Sequence, residues 1–294
     1  MKPAPFEYAA PRSVSEAVGL LAHHGEDAKV IAGGQSLVPM MAFRLATPSF
    51  LIDLNGVSEL DYTRNDGDIL VLGALTRHRA IQEMRWLSDR CAMVLEGVDL
   101  IGHPAIRNRG TVGGSLAHAD PAAEWPALLL ALDGEVGAVG PSGPRTIGAA
   151  DLFKTYFTTT LAPDEVIAEI RFPLPAEGVV MGSSFVELAR RHGDFAIAGA
   201  GAMMELAADG SIADARIALI GVRDTVVRAS SAEATLGGAR PTDEALASAA
   251  ESVQGEIDPI SDVHGSAVYR RHVATVVARR ALTLARDRAL ARVN

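Results

Sequence analysis

The sequence predicts an α+β protein: two small α/β units, then a domain in which helices pack on an antiparallel sheet. Helical and strand patterns alternate over short distances in the first two thirds of the chain. In the last third, three strand patterns come first and helices follow. At 294 residues the chain is long for one compact core. We therefore predict three parts: residues 1–56, 57–177 and 178–294.

The first unit is predicted to contain a helix, a strand, a glycine turn, a short helix and a second strand. Ser13-Val-Ser-Glu16 has the form of a capping box, and apolar residues then recur at helical spacing. The apolar run Val30–Ala32 breaks on Gly33 and Gly34, and the apolar pattern restarts as a short helix. Phe50–Leu54 is typical of a buried strand.

The second unit repeats this alternation on a larger scale. Strands are predicted at Ile69–Leu72, Glu135–Val139 and Val166–Phe172. Helices are predicted at Arg77–Arg85, Ser88–Leu100, Ala122–Leu132 and near Asp151–Phe153. The single cysteine, Cys91, falls in the apolar pattern of a helix, so a buried and inert thiol is expected. Pro173–Pro175, followed by Glu177 and Gly178, is the best candidate for a linker.

The last third predicts an antiparallel sheet packed by helices. Strands are predicted at Ser184–Leu188, Gly201–Leu206 and Ile212–Ile220. Asp209-Gly210 lies between the last two strands and favours a two-residue hairpin turn. The longest helix is predicted from about Ser266 to Ala289, with an apolar side formed by Val268, Val273, Val276, Val277 and Leu284.

Composition excludes several classes of function. The net charge of −9 argues against a nucleic-acid partner, because phosphate backbones require clustered Lys and Arg. No apolar run approaches the roughly 18 residues of a membrane span, and the N-terminus lacks the apolar core of a signal peptide. One cysteine cannot form an internal disulfide or, unaided, hold an iron–sulfur cluster or structural zinc. A cytoplasmic location is the expected one.

Several familiar motifs nearly match and are set aside. Gly199-Ala-Gly201 begins like a dinucleotide fingerprint, but Met204 occupies the third glycine position and the segment lies in the predicted hairpin region rather than in a strand–turn–helix unit. Gly34-Gln-Ser36 and Gly114-Ser115 resemble a nucleophile elbow without its closing glycine, which disfavours hydrolase chemistry. The eight histidines have no spacing typical of metal ligands, so solvated or hydrogen-bonded side chains are expected.

Two glycine segments remain as the candidate site, Lys29–Met41 and Thr111–Asp120. Each has an apolar pair, Gly-Gly, one or two polar residues and then Leu. Each could present backbone amides to a phosphate, and two facing turns would suit a pyrophosphate. The same pattern is also compatible with two ordinary tight connections. Glu124 could accept hydrogen bonds from a ribose, or simply be an acid in the first turn of a helix.

Three motifs in register resemble one known family over essentially the whole chain. Ala32-Gly-Gly-Gln-Ser-Leu-Val-Pro39 and Thr111-Val-Gly-Gly-Ser-Leu-Ala-His-Ala-Asp-Pro-Ala-Ala-Glu124 are similar to the two FAD signatures of the medium subunit of molybdenum hydroxylases. Arg190-Arg-His-Gly-Asp-Phe-Ala196 resembles a signature of their C-terminal domain. The resemblance is to the carbon monoxide dehydrogenase type within the xanthine dehydrogenase family.

The resemblance implies a fold of the vanillyl-alcohol-oxidase (PCMH) type, with two α/β subdomains that clasp FAD and a C-terminal sheet-and-helix domain. It places the pyrophosphate at the first segment, a second clamp at the other segment, Glu124 toward the ribose and three apolar residues near the ring. Relatives often carry Asp where Glu124 stands, and some carry a lysine near the flavin where Val186 and Glu187 stand. The implied cofactor residues are Lys29, Ala32, Gly33, Gly34, Gln35, Ser36, Leu37, Ile101, Thr111, Gly114, Ser115, Glu124, Ile167 and Phe195.

The resemblance also implies a division of labour among subunits. A large subunit would hold the molybdenum cofactor, a small subunit two [2Fe–2S] clusters, and this chain the FAD that passes electrons to an external acceptor. A dimer of such heterotrimers is expected, and no catalytic acid, base or metal is required here. Two alternatives stay open: a self-sufficient FAD-dependent oxidase of a small molecule, and a nucleotide-binding scaffold without catalytic activity.

Overall fold

A computed structural model describes residues 2–176 and 178–293. Met1, Glu177 and Asn294 lie outside the described residues. Glu177 belongs to the predicted linker, and each of the three is an end of a predicted domain range. Within the described ranges, no helix is long and apolar enough to cross a membrane.

The first unit is a three-stranded parallel sheet with the order β1-β3-β2. Its elements are β1 (Glu7–Ala9), α1 (Val14–His24), β2 (Ala28–Ile31), α2 (Leu37–Ala42) and β3 (Phe50–Asp53). The predicted N-cap is confirmed, because Ser13 Oγ accepts a hydrogen bond from the Glu16 amide at 3.1 Å. The Glu16 carboxylate accepts from the Arg12 amide, at 2.8 Å, so the return bond of the capping box is displaced by one residue.

The second unit is a five-stranded antiparallel sheet, with strand order β4-β5-β10-β6-β7, covered by helices. Its first half contains β4 (Thr63–Asn65), β5 (Ile69–Gly73), α3 (His78–Gln82), α4 (Leu87–Arg90), α5 (Ala92–Leu100), α6 (Pro104–Arg107) and α7 (Val112–His118). Its second half contains α8 (Glu124–Ala131), β6 (Glu135–Gly140), β7 (Gly143–Gly148), α9 (Ala149–Leu152), β8 (Phe153–Thr155), β9 (Thr158–Thr159) and β10 (Val166–Pro173).

Two helix predictions in this unit are wrong in extent. The helix predicted at Ser88–Leu100 is broken at Cys91, whose extended backbone (φ −155°, ψ 79°) separates α4 from α5. The helix predicted at Arg77–Arg85 is only the five residues of α3. The prediction of an inert thiol is confirmed, because Cys91 is fully buried and burial raises its pKa to about 11.

The C-terminal domain is a four-stranded antiparallel sheet in the order β11-β12-β13-β14, covered by three helices. Its elements are β11 (Met181–Ala189), β12 (Ala196–Leu206), β13 (Ile212–Ile220), β14 (Val227–Arg228), α10 (Ser230–Leu236), α11 (Asp243–Ser252) and α12 (Ala267–Leu290). The hairpin between β12 and β13 is longer than predicted. Ala207 donates to the Ser211 carbonyl at 2.8 Å, which leaves three residues in the loop instead of the two expected from Asp209-Gly210.

Helix α12 lies on β11 and β12 through a stripe made mainly of alanine. The predicted apolar side is partly wrong, since Val268 is 78% exposed and Leu284 is 41% exposed. The buried stripe contains Arg270, Val273, Ala274, Val277, Ala278, Ala281, Leu282, Ala285 and Ala289. Opposite it, a side chain at Gly182 would overlap the carbonyl oxygen of Ala285 and lie 2.6 Å from the Ala289 nitrogen. The absence of a side chain at Gly182 therefore allows the helix to rest on the strand backbone.

The second unit and the C-terminal sheet share one hydrophobic core. Trp125 and Phe172 from the second unit belong to the same buried cluster as Phe185 and Ile220 from the C-terminal sheet. Ion pairs cross the same boundary: Asp133 accepts from Arg216 at 2.9 Å and from Arg228 at 2.7 Å. A second core lies between the C-terminal sheet and its helices, and a third lies beneath α1.

Candidate functional site

The first glycine turn connects β2 to α2 and leaves a row of backbone donors free. Gly34 has a φ of +72°, a conformation that favours glycine. The Gln35 side-chain amide donates to the Gly33 carbonyl at 2.9 Å. In the described part of the chain, no protein oxygen accepts a hydrogen bond from the backbone amides of residues 33–36. Such a group of amides before a helix is suited to a phosphate.

The two glycine segments lie against each other. A side chain at Gly33 would overlap the Arg109 carbonyl oxygen and lie 2.8 Å from the Gly110 Cα, immediately before Thr111. A side chain at Gly114 would lie 3.9 Å from the Ala32 Cβ. The backbones therefore meet at a distance that only glycine permits, and the segments face each other as a shared ligand would require.

The second segment is not a turn but the beginning of helix α7. Thr111 is its N-cap, and Thr111 Oγ1 accepts from the Gly114 amide at 3.1 Å. The neighbouring amides donate to the carbonyl oxygens of Thr76, Ala74 and Thr111. The prediction that both segments present free amides is therefore wrong for the second, because capping and tertiary contacts use them. Gly114 remains exposed and Ser115 partly exposed.

A polar bridge that the sequence did not reveal fastens the two segments. The Asn55 side-chain amide donates to the Ala32 carbonyl at 2.8 Å, and Arg77 Nη2 donates to Asn55 Oδ1 at 2.6 Å. The other guanidinium nitrogen of Arg77 donates to the Arg109 carbonyl. Asn55 belongs to an Asn-Gly pair, which favours a turn, whereas no sequence pattern marks Arg77. The bridge brings one half-buried cation close to the free amides of the first turn.

His78, next to Arg77, supports the second segment as a neutral side chain. Its ring is buried, and burial together with Arg107 and Arg77 lowers its pKa to about 3. Its Nδ1 accepts a hydrogen bond from Trp125 Nε1 at 3.1 Å. Gly110 packs directly on the ring. For His78, the prediction of a hydrogen-bonded histidine is confirmed.

The C-terminal signature segment, Arg190–Ala196, meets the loop that follows α5. A side chain at Gly193 would lie 2.7 Å from the His103 ring. The loop itself is held by the buried Arg107, which donates to the carbonyls of Ile101 and Gly102 at 2.9 Å. Half-buried Ile101 and the 66% exposed ring of Phe195 therefore belong to two segments that touch.

The other predicted cofactor residues lie in varied surroundings. Lys29 is exposed on β2, while Ser36 and Leu37 are half-buried where α2 begins. Ile167 is only 5% exposed and packs into the shared core, so its side chain is not on an open surface. Glu124 is 8% exposed at the start of α8, where burial, followed by the charge of Glu187, raises its pKa well above the ordinary value.

Glu187, on β11, is a half-buried acid whose charge acts on Glu124. Its Oε2 is buried and has no hydrogen-bond partner among the described residues. Burial raises its pKa from 4.5 to about 7. Gly199 is its partner on β12 and supplies no side chain that could cover it. The Oε2 atom of Glu187 is therefore a buried acceptor that the described part of the chain leaves unsatisfied.

Two surface depressions in the described part of the chain lie away from this site. Among the described residues, no group of three or more His, Cys, Asp or Glu side chains is placed to hold a metal ion. Two depressions of about 340 and 500 Å³ border the five-stranded sheet and share Glu135 and Arg171. Neither contains a predicted cofactor residue.

Comparison with known proteins identifies the family. Residues 4–175 match the family described as the FAD binding domain in molybdopterin dehydrogenase. Residues 183–285 match the family described as the CO dehydrogenase flavoprotein C-terminal domain. The chain is 42% identical to the 6-hydroxypseudooxynicotine dehydrogenase complex subunit alpha of Paenarthrobacter nicotinovorans, over 98% of this chain and 97% of that protein.

Two further relatives agree in length and fold. The carbon monoxide dehydrogenase medium chain of Hydrogenophaga pseudoflava is 39% identical over 97% of this chain and 98% of its own. A solved structure of carbon monoxide dehydrogenase from that organism superposes with a TM-score of 0.94, covering 98% of this chain and 99% of the solved chain at 41% identity. These matches confirm the predicted fold class. The chain belongs to the FAD-binding medium subunits of the molybdenum hydroxylases.

Proposed function

We propose that the chain binds FAD across its two glycine segments and is the electron-transfer subunit of a heteromeric molybdenum hydroxylase. The contact of Gly33 with the Arg109–Gly110 backbone carries the proposal, because it joins free amides on one segment to the capped helix of the other. A pyrophosphate at this junction would supply acceptors for the amides of residues 33–36. Arg77, held by Asn55, adds positive charge nearby.

The proposed residue roles follow the two segments. Lys29 and residues 32–37 hold the pyrophosphate and the adjoining side of the flavin, whereas Thr111, Gly114 and Ser115 form the second clamp. Glu124 faces the ribose, and Ile101, Ile167 and Phe195 lie near the ring. FAD supplies the redox chemistry, and the protein supplies binding, orientation and electrostatics. Two residues join the set on structural grounds: Asn55 and Arg77, which fix the distance between the segments.

The proposed partners are a small subunit with two [2Fe–2S] clusters and a large subunit with the molybdenum cofactor. Electrons would pass from the clusters to the FAD of this chain and then to an external acceptor. The names of the relatives, medium chain and complex subunit, support a multi-subunit enzyme. We further propose a dimer of heterotrimers in the cytoplasm, and division of the chain into domains at residues 1–56, 57–177 and 178–294.

Substitution of the two glycines tests the proposed site. Gly33→Val and Gly114→Val should each yield a colourless complex, because the new side chain separates the segments or blocks the clamp. The measurement is the flavin absorbance per chain after purification together with the partner subunits. Gly19→Ala is the matched control, since Gly19 lies in α1 with open space around it.

Three results would each overturn the proposal. Full flavin occupancy in both valine variants would show that the glycines have only a structural role. Turnover of a small organic substrate by the purified chain without partners would favour the self-sufficient oxidase. A wild-type complex whose flavin absorbance does not bleach when a reductant is added would favour the nucleotide-binding scaffold.

A further inference from the structure

Arg270 is a buried cation that joins three parts of the fold. It lies in the first turn of α12 and is only 7% exposed. Its Nη2 binds both carboxylate oxygens of Asp262, at 2.8 and 2.9 Å. Its Nη1 donates to the carbonyls of Ile197, at 2.7 Å, and Gly221, at 3.2 Å. Such a planar, forked donor fixes the relative positions of its acceptors.

One of these carbonyls lies next to the signature segment, and the other belongs to a residue that contacts the chain between the second glycine segment and Glu124. Ile197 comes two residues after Phe195, at the beginning of β12. Gly221 donates its amide to the carbonyl of Pro121 at 2.8 Å, and Pro121 lies between α7 and Glu124. Gly221 has a φ of +73° and packs directly on the Ile197 carbonyl. One guanidinium therefore binds the residue that directly follows the signature segment and, through Gly221, is linked to Pro121, which directly follows the second glycine segment.

Backbone amides hold the Asp262 carboxylate in position to bind Arg270. Its Oδ1 accepts from the amides of His264 and Gly265, at 2.9 and 3.1 Å, within a tight loop. Burial alone would raise the pKa of Asp262, but the bonds from Arg270 and from these amides lower it below the ordinary value. The pair is therefore ionised, as a buried guanidinium requires. The neighbouring Arg271 is more exposed and binds Asp258 at 3.1 Å.

We propose that Arg270 is a positioning residue for FAD, through which the C-terminal domain holds Pro121 and the start of β12 in the cofactor-binding arrangement. The proposal rests on the FAD site proposed above. A residue that only stabilised the fold would change the unfolding midpoint and leave the environment of the flavin unchanged. A positioning residue must change the affinity for FAD and the spectroscopic signature of the bound flavin in protein that is still folded.

The test uses the complex purified with its partner subunits. Arg270→Gln should weaken FAD binding at least tenfold and alter the visible circular dichroism of the bound flavin. Arg270→Lys keeps the charge but loses the fork, so its affinity should lie between those of Arg270→Gln and wild type. Arg271→Gln is the matched control and should behave as wild type. Hydrogen exchange of the Gly221 amide should be faster in Arg270→Gln, with or without FAD.

Each outcome decides the proposal. Unchanged affinity and dichroism in folded Arg270→Gln would overturn it and leave the FAD site standing. If that variant does not fold, Arg270→Lys replaces it, because a lysine keeps the charge but has no planar fork to hold Asp262 and both carbonyls together. Unchanged affinity and dichroism in Arg270→Lys would then also overturn the proposal. A wild-type complex without flavin would overturn the proposed function instead. Hydrogen exchange of the Gly221 amide would then show whether Arg270 holds Gly221 against Pro121.

Discussion

At the residue scale, the two glycines of the first turn are required for different reasons. Gly33 has no room for a side chain, because the Arg109–Gly110 backbone occupies that position. A methyl group at Gly34 would lie 3.2 Å from the Val38 side chain, a tight contact that a small side-chain shift would relieve, but the φ of +72° disfavours any other residue. A change at Gly33 therefore separates the two segments, whereas a change at Gly34 reshapes only the first one.

The carboxyl group of Glu187 gives a pH-dependent prediction. Because burial raises its pKa from 4.5 to about 7, the folded protein binds more protons than the unfolded chain between these values. Stability therefore falls as the pH rises through this interval. We expect Glu187→Gln to exceed the wild type in unfolding free energy by on the order of 1–3 kcal/mol at pH 8, and to differ little at pH 4.5.

Denaturant unfolding at the two pH values measures this difference. Glu26→Gln is the control, because Glu26 is exposed and the substitution should leave the pH dependence unchanged. A Glu187→Gln variant whose stability followed the wild type across the whole range would show that the carboxyl group is not held in an apolar environment.

At the scale of elements, periodicity predicted the strands well and the helix faces less well. The strand Ile212–Ile220 is observed with the predicted limits. The apolar side of α12 was misjudged, because alanines such as Ala278 and Ala281 form the buried stripe and Val268 is exposed. Cys91 interrupts a helix although its sequence pattern is helical. Alanine spacing and a single extended residue leave little trace in a hydrophobic pattern.

The glycine segments show the same limit at the site. Both were found from sequence because each is a local motif. That the second is helical was missed, because glycine disfavours helices and the contact of Gly113 with Ala74 overrides that preference. Asn55, Arg77 and Arg270 were missed for a related reason: the bond between Asn55 and Arg77, and the bonds of all three to backbone carbonyls, join residues 22 to 73 positions apart in the sequence. Only the folded chain brings such partners together.

The N-cap of α7 gives a prediction for the second segment. Thr111→Val keeps the shape of the side chain but removes the oxygen that accepts from the Gly114 amide. We expect a loss of about 1 kcal/mol in unfolding free energy, together with weaker retention of FAD. Thr111→Ser keeps the acceptor and should retain both properties. Denaturant unfolding and flavin content per chain measure the two effects, and equal behaviour of the valine and serine variants would contradict the role of the cap.

At the scale of the whole molecule, the shared core predicts one cooperative unfolding transition for the second unit and the C-terminal sheet. Phe185 and Ile220 pack in the cluster that contains Trp125, and Asp133 adds ion pairs across the same boundary. Differential scanning calorimetry should therefore show a single peak for these two parts. Phe185→Ala should shift that whole peak downward, with a cost of about 3–5 kcal/mol. Separate peaks, of which only one moves, would contradict this prediction.

Helix α12 packs directly on the strand backbone at Gly182, so a change at this contact would move the other end of the helix, where Arg270 lies. The contact with Ala285 lies fifteen residues from Arg270, or about 22 Å along the helix axis. A bulkier residue at position 182 that tilted the helix by about 5° would displace Arg270 by about 2 Å, and a hydrogen bond to the Ile197 carbonyl cannot survive such a displacement. A methyl group added at position 182 is therefore expected to disturb the contacts of Arg270 and, through them, the proposed cofactor site.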